Sequence, residues 1–251
     1  MYRSRGFVSI FQVVAFFIAA FAVFIWGCSH RNKSDTFIGR DPTWYPENLG
    51  TKTDEINGFT NALIGNIGKN NIQIIDIDSI NLLQGLDEQE YPAILSSLPP
   101  TEENQDRYLF SNPYLLIGPV LVVPINSKAT SLNDFEDKII GVSPYDDSML
   151  IAQKNPTLII KEYEAMPSAL EDLAAGKIDA VLLNTLKANA LIPNLYPETL
   201  RIASYPLNKK GLRLIALRGE NEDLISHFNT KLSDLRESGE YTKLRKQFGI
   251  P

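Results

Sequence analysis

The sequence is short of the residues that carry metal and thiol chemistry. Its 251 residues include one cysteine and two histidines. A single cysteine cannot form an intramolecular disulfide, and so few thiol and imidazole groups cannot supply the usual zinc ligands or a cysteine–histidine nucleophile system. We therefore expect no metal site, no cofactor and no thiol-based catalysis.

Clustered positive charge and glycine-rich loops are scarce too. The chain has 30 acidic and 24 basic residues, with a net charge of −6, and its basic residues occur at most in short pairs such as Lys209–Lys210. An acidic protein without a basic patch is a poor partner for nucleic acid. The absence of a glycine-rich phosphate loop argues against nucleotide-binding enzymes.

With 44% apolar and 22% charged residues, the chain can bury one substantial core or two small ones.

The N-terminus has the pattern of an export signal. Arg3 and Arg5 precede a nearly unbroken apolar run over residues 7–26, which is followed by Gly27 and Cys28. The run is long enough to span a bilayer, so an uncleaved membrane anchor is one interpretation.

A lipoprotein signal is the interpretation that we favour. Residues 25–28 resemble a bacterial lipobox, in which a small residue precedes a cysteine that is lipidated and becomes the mature N-terminus. Residues 1–27 would then be the signal peptide, Cys28 the lipidated residue and residues 28–36 a polar tether. Both interpretations attach the protein to a membrane and place residues 29–251 outside the cytoplasm.

Apolar patterns of strand and helix alternate after the tether and predict an α/β fold. Between successive strands, helices of about ten residues indicate βαβ units on a largely parallel sheet. Strands are predicted at 72–77, 93–95, 115–123, 138–142, 157–161 and 179–183. Helices are predicted at 80–86, from 167 to a cap at Gly176, at 224–235, and around Tyr241, Leu244 and Phe248.

Several segments, taken in order, resemble the family of bacterial extracellular solute-binding proteins, family 3, which serve polar amino-acid ABC importers. The resemblance extends over nearly all of residues 38–250. The segments are Asp41-Pro42-Thr43-Trp44-Tyr45-Pro46, Asn57-Gly58-Phe59, Phe110-Ser111-Asn112-Pro113-Tyr114, Ser131-Leu132-Asn133-Asp134-Phe135 with residues 138–142, and residues 169–181.

The resemblance implies a two-lobe, periplasmic-binding-protein-like fold of type II with a hinge between the lobes. The first lobe would comprise residues 37–115 and 210–251, and the second lobe residues 118–208. Hinge crossings would lie within 115–123 and 205–212. The solute would bind between the lobes, and a membrane permease would recognise the closed form.

The resemblance also implies a set of ligand-binding positions in the first lobe. Trp44 would stack on the ligand, with an ordinary core tryptophan as the alternative. Residues 101–107 would form a cleft-lining polar loop, in which Thr101 and Asn104 either contact the ligand or bond to their own backbone. Asn104 occupies the position where amino-acid binders of the family carry an arginine that clamps the ligand carboxylate.

In the second lobe the implied positions are Asp146, Ser148 and Asn184. Asn184 falls where the family has an aspartate that receives the ligand ammonium group. Tyr145 and Asp146 occupy the positions where the family has a Gly-Thr pair whose backbone N–H groups bind the ligand carboxylate at a helix N-terminus, and Ser148 follows shortly after. The alternative role of Asp146 and Ser148 is to cap that helix.

The differences from the family pattern at Asn104 and Asn184 bear on the function that we expect. We expect a monomeric, membrane-anchored solute-binding lipoprotein of an ABC importer, not an enzyme, whose partners are a small polar solute and a permease. Because Asn104 and Asn184 are uncharged, the ligand should be a neutral or cationic polar solute, or absent, in preference to an ordinary amino-acid zwitterion. Two alternatives stay open: a tethered sensor or interaction lipoprotein that has lost amino-acid binding, and a periplasmic dehydratase-like enzyme.

Overall fold

Two β-sheets organise the computed structural model, which describes residues 36–44, 52–68 and 72–250. The predicted lipidation site Cys28 and the predicted tether up to residue 35 lie outside the described residues. Within the described ranges, no helix is both long enough and apolar enough to cross a membrane.

The first sheet has the order β2-β1-β3-β11-β4, and β5 also pairs with β11. β1, β2 and β3 are parallel to one another, whereas β11 runs antiparallel to β3, β4 and β5. Its strands are β1 (Thr36–Arg40), β2 (Ile72–Asp76), β3 (Ala93–Ser96), β4 (Tyr108–Phe110), β5 (Leu115–Leu116) and β11 (Gly211–Leu217).

The second sheet has the order β10-β6-β9-β7-β8. β7 is parallel to β8 and β9, and β6 is antiparallel to β9 and β10. Its strands are β6 (Pro119–Pro124), β7 (Ile139–Val142), β8 (Ile159–Glu162), β9 (Ala180–Asn184) and β10 (Leu200–Ile202).

Helices cover both sheets. The first sheet is accompanied by α1 (Thr53–Ile67), α2 (Ser79–Asp87), α3 (Glu102–Arg107), α7 (Glu222–Glu237) and α8 (Glu240–Gln247), and the second by α4 (Asp147–Gln153), α5 (Met166–Ala174) and α6 (Thr185–Leu195). We call the first sheet with its helices the first lobe and the second sheet with its helices the second lobe.

The helices form where amphipathic patterns meet suitable ends. In α1, Ile56, Phe59 and Leu63 recur at helical spacing and are buried against the first sheet. Phe59 packs edge-on to Tyr241 of α8, with ring centroids 5.8 Å apart. Burial of this shared apolar face is what fixes the C-terminal helices on the first lobe.

The chain crosses between the sheets twice, at residues 117–118 and again at 203–210, which we call the crossing segments. The two segments are joined by a backbone hydrogen bond from the Ile117 N–H to the Lys210 carbonyl at 3.0 Å, and the second segment is also bonded to the start of β6, where the Leu207 N–H donates to the Pro119 carbonyl at 2.8 Å. The crossing segments therefore form a short hydrogen-bonded connection between the lobes.

Two sequence-based predictions are wrong in detail. The apolar run 115–123, predicted as one strand, is divided into β5 and β6 because the chain changes sheets at residues 117–118. The segment 101–107, predicted as a loop, contains helix α3. Thr101 caps its N-terminus, Glu102 and Glu103 lie in its first turn and Arg107 lies in its last, so the charges complement the helix dipole.

Candidate functional site

Polar segments follow the carboxyl ends of parallel strands in both lobes. Asp41 follows β1, Ser97 follows β3, Ser143 follows β7 and Asn184 ends β9. Ligands of open α/β sheets bind outside such strand ends. Each of the six predicted ligand-binding residues lies in one of these segments or shortly after it, so this edge of the two sheets is the candidate site.

Trp44 is buried in the core of the first lobe. Its side chain is 1% exposed, and its Nε1–H donates to the Asn57 Oδ1 at 2.9 Å. The Asn57 Nδ2 in turn donates to the Pro42 carbonyl at 2.9 Å, while the Asp41 Oδ1 accepts from the Thr43 N–H at 2.8 Å. In this arrangement the indole is packed in the core, which corresponds to the alternative role given for Trp44; its contact with a ligand stays a prediction.

Thr101 and Asn104 are bonded within their own segment. The Thr101 Oγ1 accepts from the Asn104 N–H at 3.3 Å, and the Asn104 Nδ2 donates to the Pro99 carbonyl at 2.8 Å. Arg107, the nearest arginine along the chain, pairs with Asp87 at 2.7 Å. The helix α3 therefore uses these polar groups to fix its own N-terminus and offers no guanidinium at position 104.

The segment after β7 forms a capped turn. The Asp146 Oδ1 accepts from the Ser148 N–H at 2.8 Å and so caps α4. Ser148 is fully buried, and its Oγ accepts from the Ser143 N–H at 3.0 Å and donates to the Ser143 carbonyl at 3.3 Å. Asp146 is exposed, whereas the buried Ser148 hydroxyl is bonded to the Ser143 backbone, so both residues fill the helix-capping role given as their alternative.

Asp147 links α4 to the second crossing segment. The Asn208 Nδ2 donates to the Asp147 Oδ2 at 3.0 Å, and the Lys210 Nζ lies 3.5 Å from the same oxygen. This charged group sits at the junction between the lobes, where a change in their relative orientation would alter its contacts.

Asn184 ties the second lobe to the first crossing segment. Its Oδ1 accepts from the Leu186 N–H at 2.9 Å, which caps α6, and its Nδ2 donates to the Ile117 carbonyl at 2.8 Å. The neighbouring Thr185 Oγ1 donates to the Gly118 carbonyl at 2.5 Å. The side chain at the family's aspartate position is thus a half-buried structural tie in this structure.

Arg213 is a buried cation that the sequence analysis did not single out. It is 7% exposed, and its two terminal nitrogens donate to the Ser111 carbonyl at 2.7 Å and the Lys209 carbonyl at 3.0 Å. Burial lowers the pKa of Arg213 below its ordinary value. The one cue in the sequence is an arginine inside the otherwise apolar run 211–217.

The position of Arg213 explains its relevance to the site. It lies opposite Ser96 in the register of β11 with β3, at the carboxyl end of β3. No carboxylate pairs with its guanidinium in the part of the chain that the structure describes, so it adds fixed positive charge near the candidate site.

In the same described part, no group of three or more potential metal ligands comes together.

Curated relatives are binding proteins for amino acids. The chain is 26% identical over 174 residues to the L-cystine-binding protein TcyJ of Escherichia coli strain K12, covering 67% of this chain but only 64% of that protein. It is 25% identical over 244 residues to the arginine-binding periplasmic protein of Mannheimia haemolytica, covering 88% of this chain and 93% of that protein.

Solved structures share the fold. The L-cystine solute receptor of Neisseria gonorrhoeae, in its unliganded open conformation, matches 86% of this chain and 93% of its own with a TM-score of 0.69 and 20% identity. The domain described as the second substrate-binding domain of a putative amino acid ABC transporter from Streptococcus pneumoniae matches 85% of this chain and 99% of its own, with a TM-score of 0.67 and 21% identity. These matches confirm the predicted two-lobe α/β fold.

The family comparison covers the predicted lobes together. The model of the bacterial extracellular solute-binding proteins, family 3, matches residues 37–250, which is most of the chain. That match agrees with the order of motifs from Asp41 to Val181 and with the topology of both sheets. The chain therefore belongs to the bacterial extracellular solute-binding proteins, family 3.

Proposed function

We propose that this protein is the extracytoplasmic solute-binding component of an ABC importer, anchored to the membrane through Cys28. It binds an amino-acid-like or other small polar solute between a lobe formed by residues 37–115 and 210–251 and a lobe formed by residues 118–208, and presents it to a permease as a monomer. The observation that carries this proposal is that the polar strand ends of the second lobe are bonded to the paired crossing segments between two sheets, in a chain of this family.

Closure would act through the contacts at the crossing segments. Asp147 holds Asn208, and Asn184 holds the Ile117 carbonyl, so both helix N-termini of the second lobe that border the candidate site are bonded to the connection between the lobes. A solute that contacts these termini and the first lobe stabilises the closed arrangement by its additional contacts there.

The side chains at the candidate site favour a solute without the full amino-acid zwitterion. Asn104 and Asn184 offer neutral hydrogen-bonding groups where a buried carboxylate and ammonium would need charged partners. Loss of one partner of a buried charge costs about 2–5 kcal/mol, whereas micromolar binding corresponds to about 8 kcal/mol in total. Asp146 and Asp147 further disfavour anions, and Arg213, the nearby cation, is already hydrogen-bonded to the Ser111 and Lys209 carbonyls. The proposed solute is therefore neutral or cationic.

One observation favours the alternative of a tethered sensor or interaction lipoprotein. The Asn104 side chain donates to the Pro99 carbonyl, and the Asn184 side chain donates to the Ile117 carbonyl and caps α6. A protein that no longer binds amino acids can keep such residues, because Asn104 stabilises the N-terminus of α3 and Asn184 stabilises α6 and the connection between the lobes.

Titration calorimetry on the membrane-extracted protein in lipid nanodiscs tests the proposal. The twenty amino acids and cystine are compared with the α-amides of the same amino acids, which lack the carboxylate. We expect an α-amide to bind at micromolar concentration and its parent amino acid to bind at least tenfold more weakly. Micromolar binding of a simple amino acid such as glutamine would contradict the solute class, and failure of every solute to bind would favour the sensor.

A double variant tests whether positions 104 and 184 set the preference between an amino acid and its α-amide. Asn104→Arg combined with Asn184→Asp supplies the two charges that the family uses for the zwitterion. We expect the double variant to prefer the amino acid over its α-amide, reversing the order found for the native protein. An unchanged order in a variant with native thermal stability would show that these positions do not contact the solute.

A further inference from the structure

A cavity of about 400 Å³ opens beside the crossing segments, on the side that carries the C-terminal helices. Its walls include Leu116 and Arg245 from the first lobe and Asn189 and Ile202 from the second, so an occupant would contact both lobes at once. Its lining includes none of the six predicted ligand-binding residues. The cavity reaches the strand ends at Thr185, next to Asn184, and otherwise lies beside the crossing segments and the C-terminal helices.

Two guanidinium groups lie at the wall formed by α7 and α8. The Cζ atoms of Arg236 and Arg245 lie 5.1 Å and 5.8 Å from the ring centroid of Tyr241. Burial raises the pKa of Tyr241, and the two nearby cations act in the opposite direction. The tyrosine is held in place because its hydroxyl donates to the Tyr114 carbonyl at 2.5 Å.

Arg245 has an unsatisfied donor at this wall. Its Nε is buried and has no hydrogen-bond partner among the described residues. Arg236 donates to the Pro113 carbonyl at 2.7 Å, which is a neutral acceptor. The acidic residues close to Arg236 and Tyr241 in sequence have other partners: Asp234 pairs with Lys231 at 2.8 Å, Glu237 accepts from the Ser233 hydroxyl at 3.0 Å, and Glu240 pairs with Lys243 at 2.5 Å. Among the described residues no carboxylate pairs with either guanidinium, so this wall carries two positive charges without an anionic partner.

A second part of the wall is apolar, and the rest is formed by the polar residues Thr185, Asn189, Ser204 and Tyr205. Leu115, Leu116, Val120 and Ile202 line the apolar part, together with Pro206. A volume of about 400 Å³ lies within the usual range of small-molecule sites, which combine apolar walls with a few polar groups that fix orientation. The cavity thus offers one cationic end and one apolar side.

We propose that this cavity is a second ligand site, which binds a small organic carboxylate with an apolar body. The carboxylate accepts hydrogen bonds from Arg245 and lies beside Arg236, and the apolar body packs on the leucine and isoleucine side chains. Guanidinium groups bind carboxylates through paired, charge-assisted hydrogen bonds, and a neutral analogue of the same shape forfeits them.

Benzoate and its neutral isostere benzamide test the site by titration calorimetry, with the membrane-extracted protein in nanodiscs and empty nanodiscs as the blank. We expect saturable binding of benzoate and at least tenfold weaker binding of benzamide. Arg245→Gln should weaken benzoate binding about tenfold or more, while Lys246→Gln, which removes the same charge from an exposed position of the same helix, should leave it unchanged.

A second variant covers the case in which Arg245→Gln does not fold. Leu116→Trp fills the apolar side of the cavity from a partly exposed position, and we expect it to abolish benzoate binding without lowering thermal stability. Absence of benzoate binding to the native protein, equal binding of benzamide, or retention of benzoate affinity in Leu116→Trp would each overturn the proposal. None of these outcomes depends on the solute bound at the strand ends.

Discussion

Trp44 combines a left-handed backbone with a fully buried side chain. Its φ angle is +57°, a conformation that costs free energy for a bulky residue. The indole compensates through its packing in the first-lobe core and its hydrogen bond to Asn57. A residue held in this way contributes mainly to the stability of the loop after β1.

Substitution of Trp44 separates a core role from a ligand role. Trp44→Ala should lower the free energy of unfolding by about 3–5 kcal/mol, because it leaves a large cavity in the core. Trp44→Phe keeps most of the packing but loses the bond to Asn57, for an expected cost of about 1 kcal/mol from the hydrogen bond. Urea denaturation followed by circular dichroism measures both. Unchanged stability of Trp44→Ala with at least tenfold weaker solute binding would instead support the aromatic wall of the sequence analysis.

Among the structural elements, the crossing segments depend on close approach of the backbone at Gly118. A Cβ atom at this position would lie 2.1 Å from the Asn208 Oδ1 and 3.0 Å from its Cγ. That oxygen accepts from the Lys210 N–H at 3.0 Å, and the same amide group donates to Asp147. The missing side chain at Gly118 therefore lets Asn208 join the connection to α4.

Gly118→Ala should disrupt this connection. The added methyl group must displace Asn208, with the loss of its bonds to Lys210 and Asp147, so we expect destabilisation of about 1–3 kcal/mol in urea denaturation. Gly65→Ala is the matched control: Gly65 lies in α1, a Cβ there meets nothing within 4 Å, and alanine should stabilise the helix by about 0.5–1 kcal/mol. If the two variants had equal stability, close packing at Gly118 would be ruled out.

At the scale of the whole molecule, attachment to a membrane is a prediction from the sequence of the N-terminal segment. Cys28 lies outside the described residues, and its lipidation remains a prediction from the lipobox-like spacing. Mass spectrometry of the membrane-extracted protein should find an N-terminus at Cys28 carrying a lipid. Cys28→Ser should retain the complete segment and carry no lipid. A native protein that begins at Met1 would demonstrate an uncleaved anchor.

The elements that the sequence predicted well are those with a local signal. The strands β2, β7 and β9 and the helices α2, α5 and α7 lie close to their predicted ranges, because alternation or helical spacing of apolar residues reflects burial of one face. Helix α3 was missed because its six residues are polar on all sides. It has no buried residue to create a pattern, and its stability comes from capping and from charge at its ends.

The sequence by itself determined the α/β class, the alternation of strands and helices, and the family, because these follow from local periodicity and from the order of short motifs. Only the tertiary structure decided what the site residues do. Asn184 meets the Ile117 carbonyl across 67 positions of the chain, and Arg213 meets Ser111 across 102. The cavity likewise joins Leu116 to Arg245. Such partners are chosen by the packing of two sheets, and a periodic pattern within one segment carries no information about which distant backbone group will satisfy a buried polar side chain.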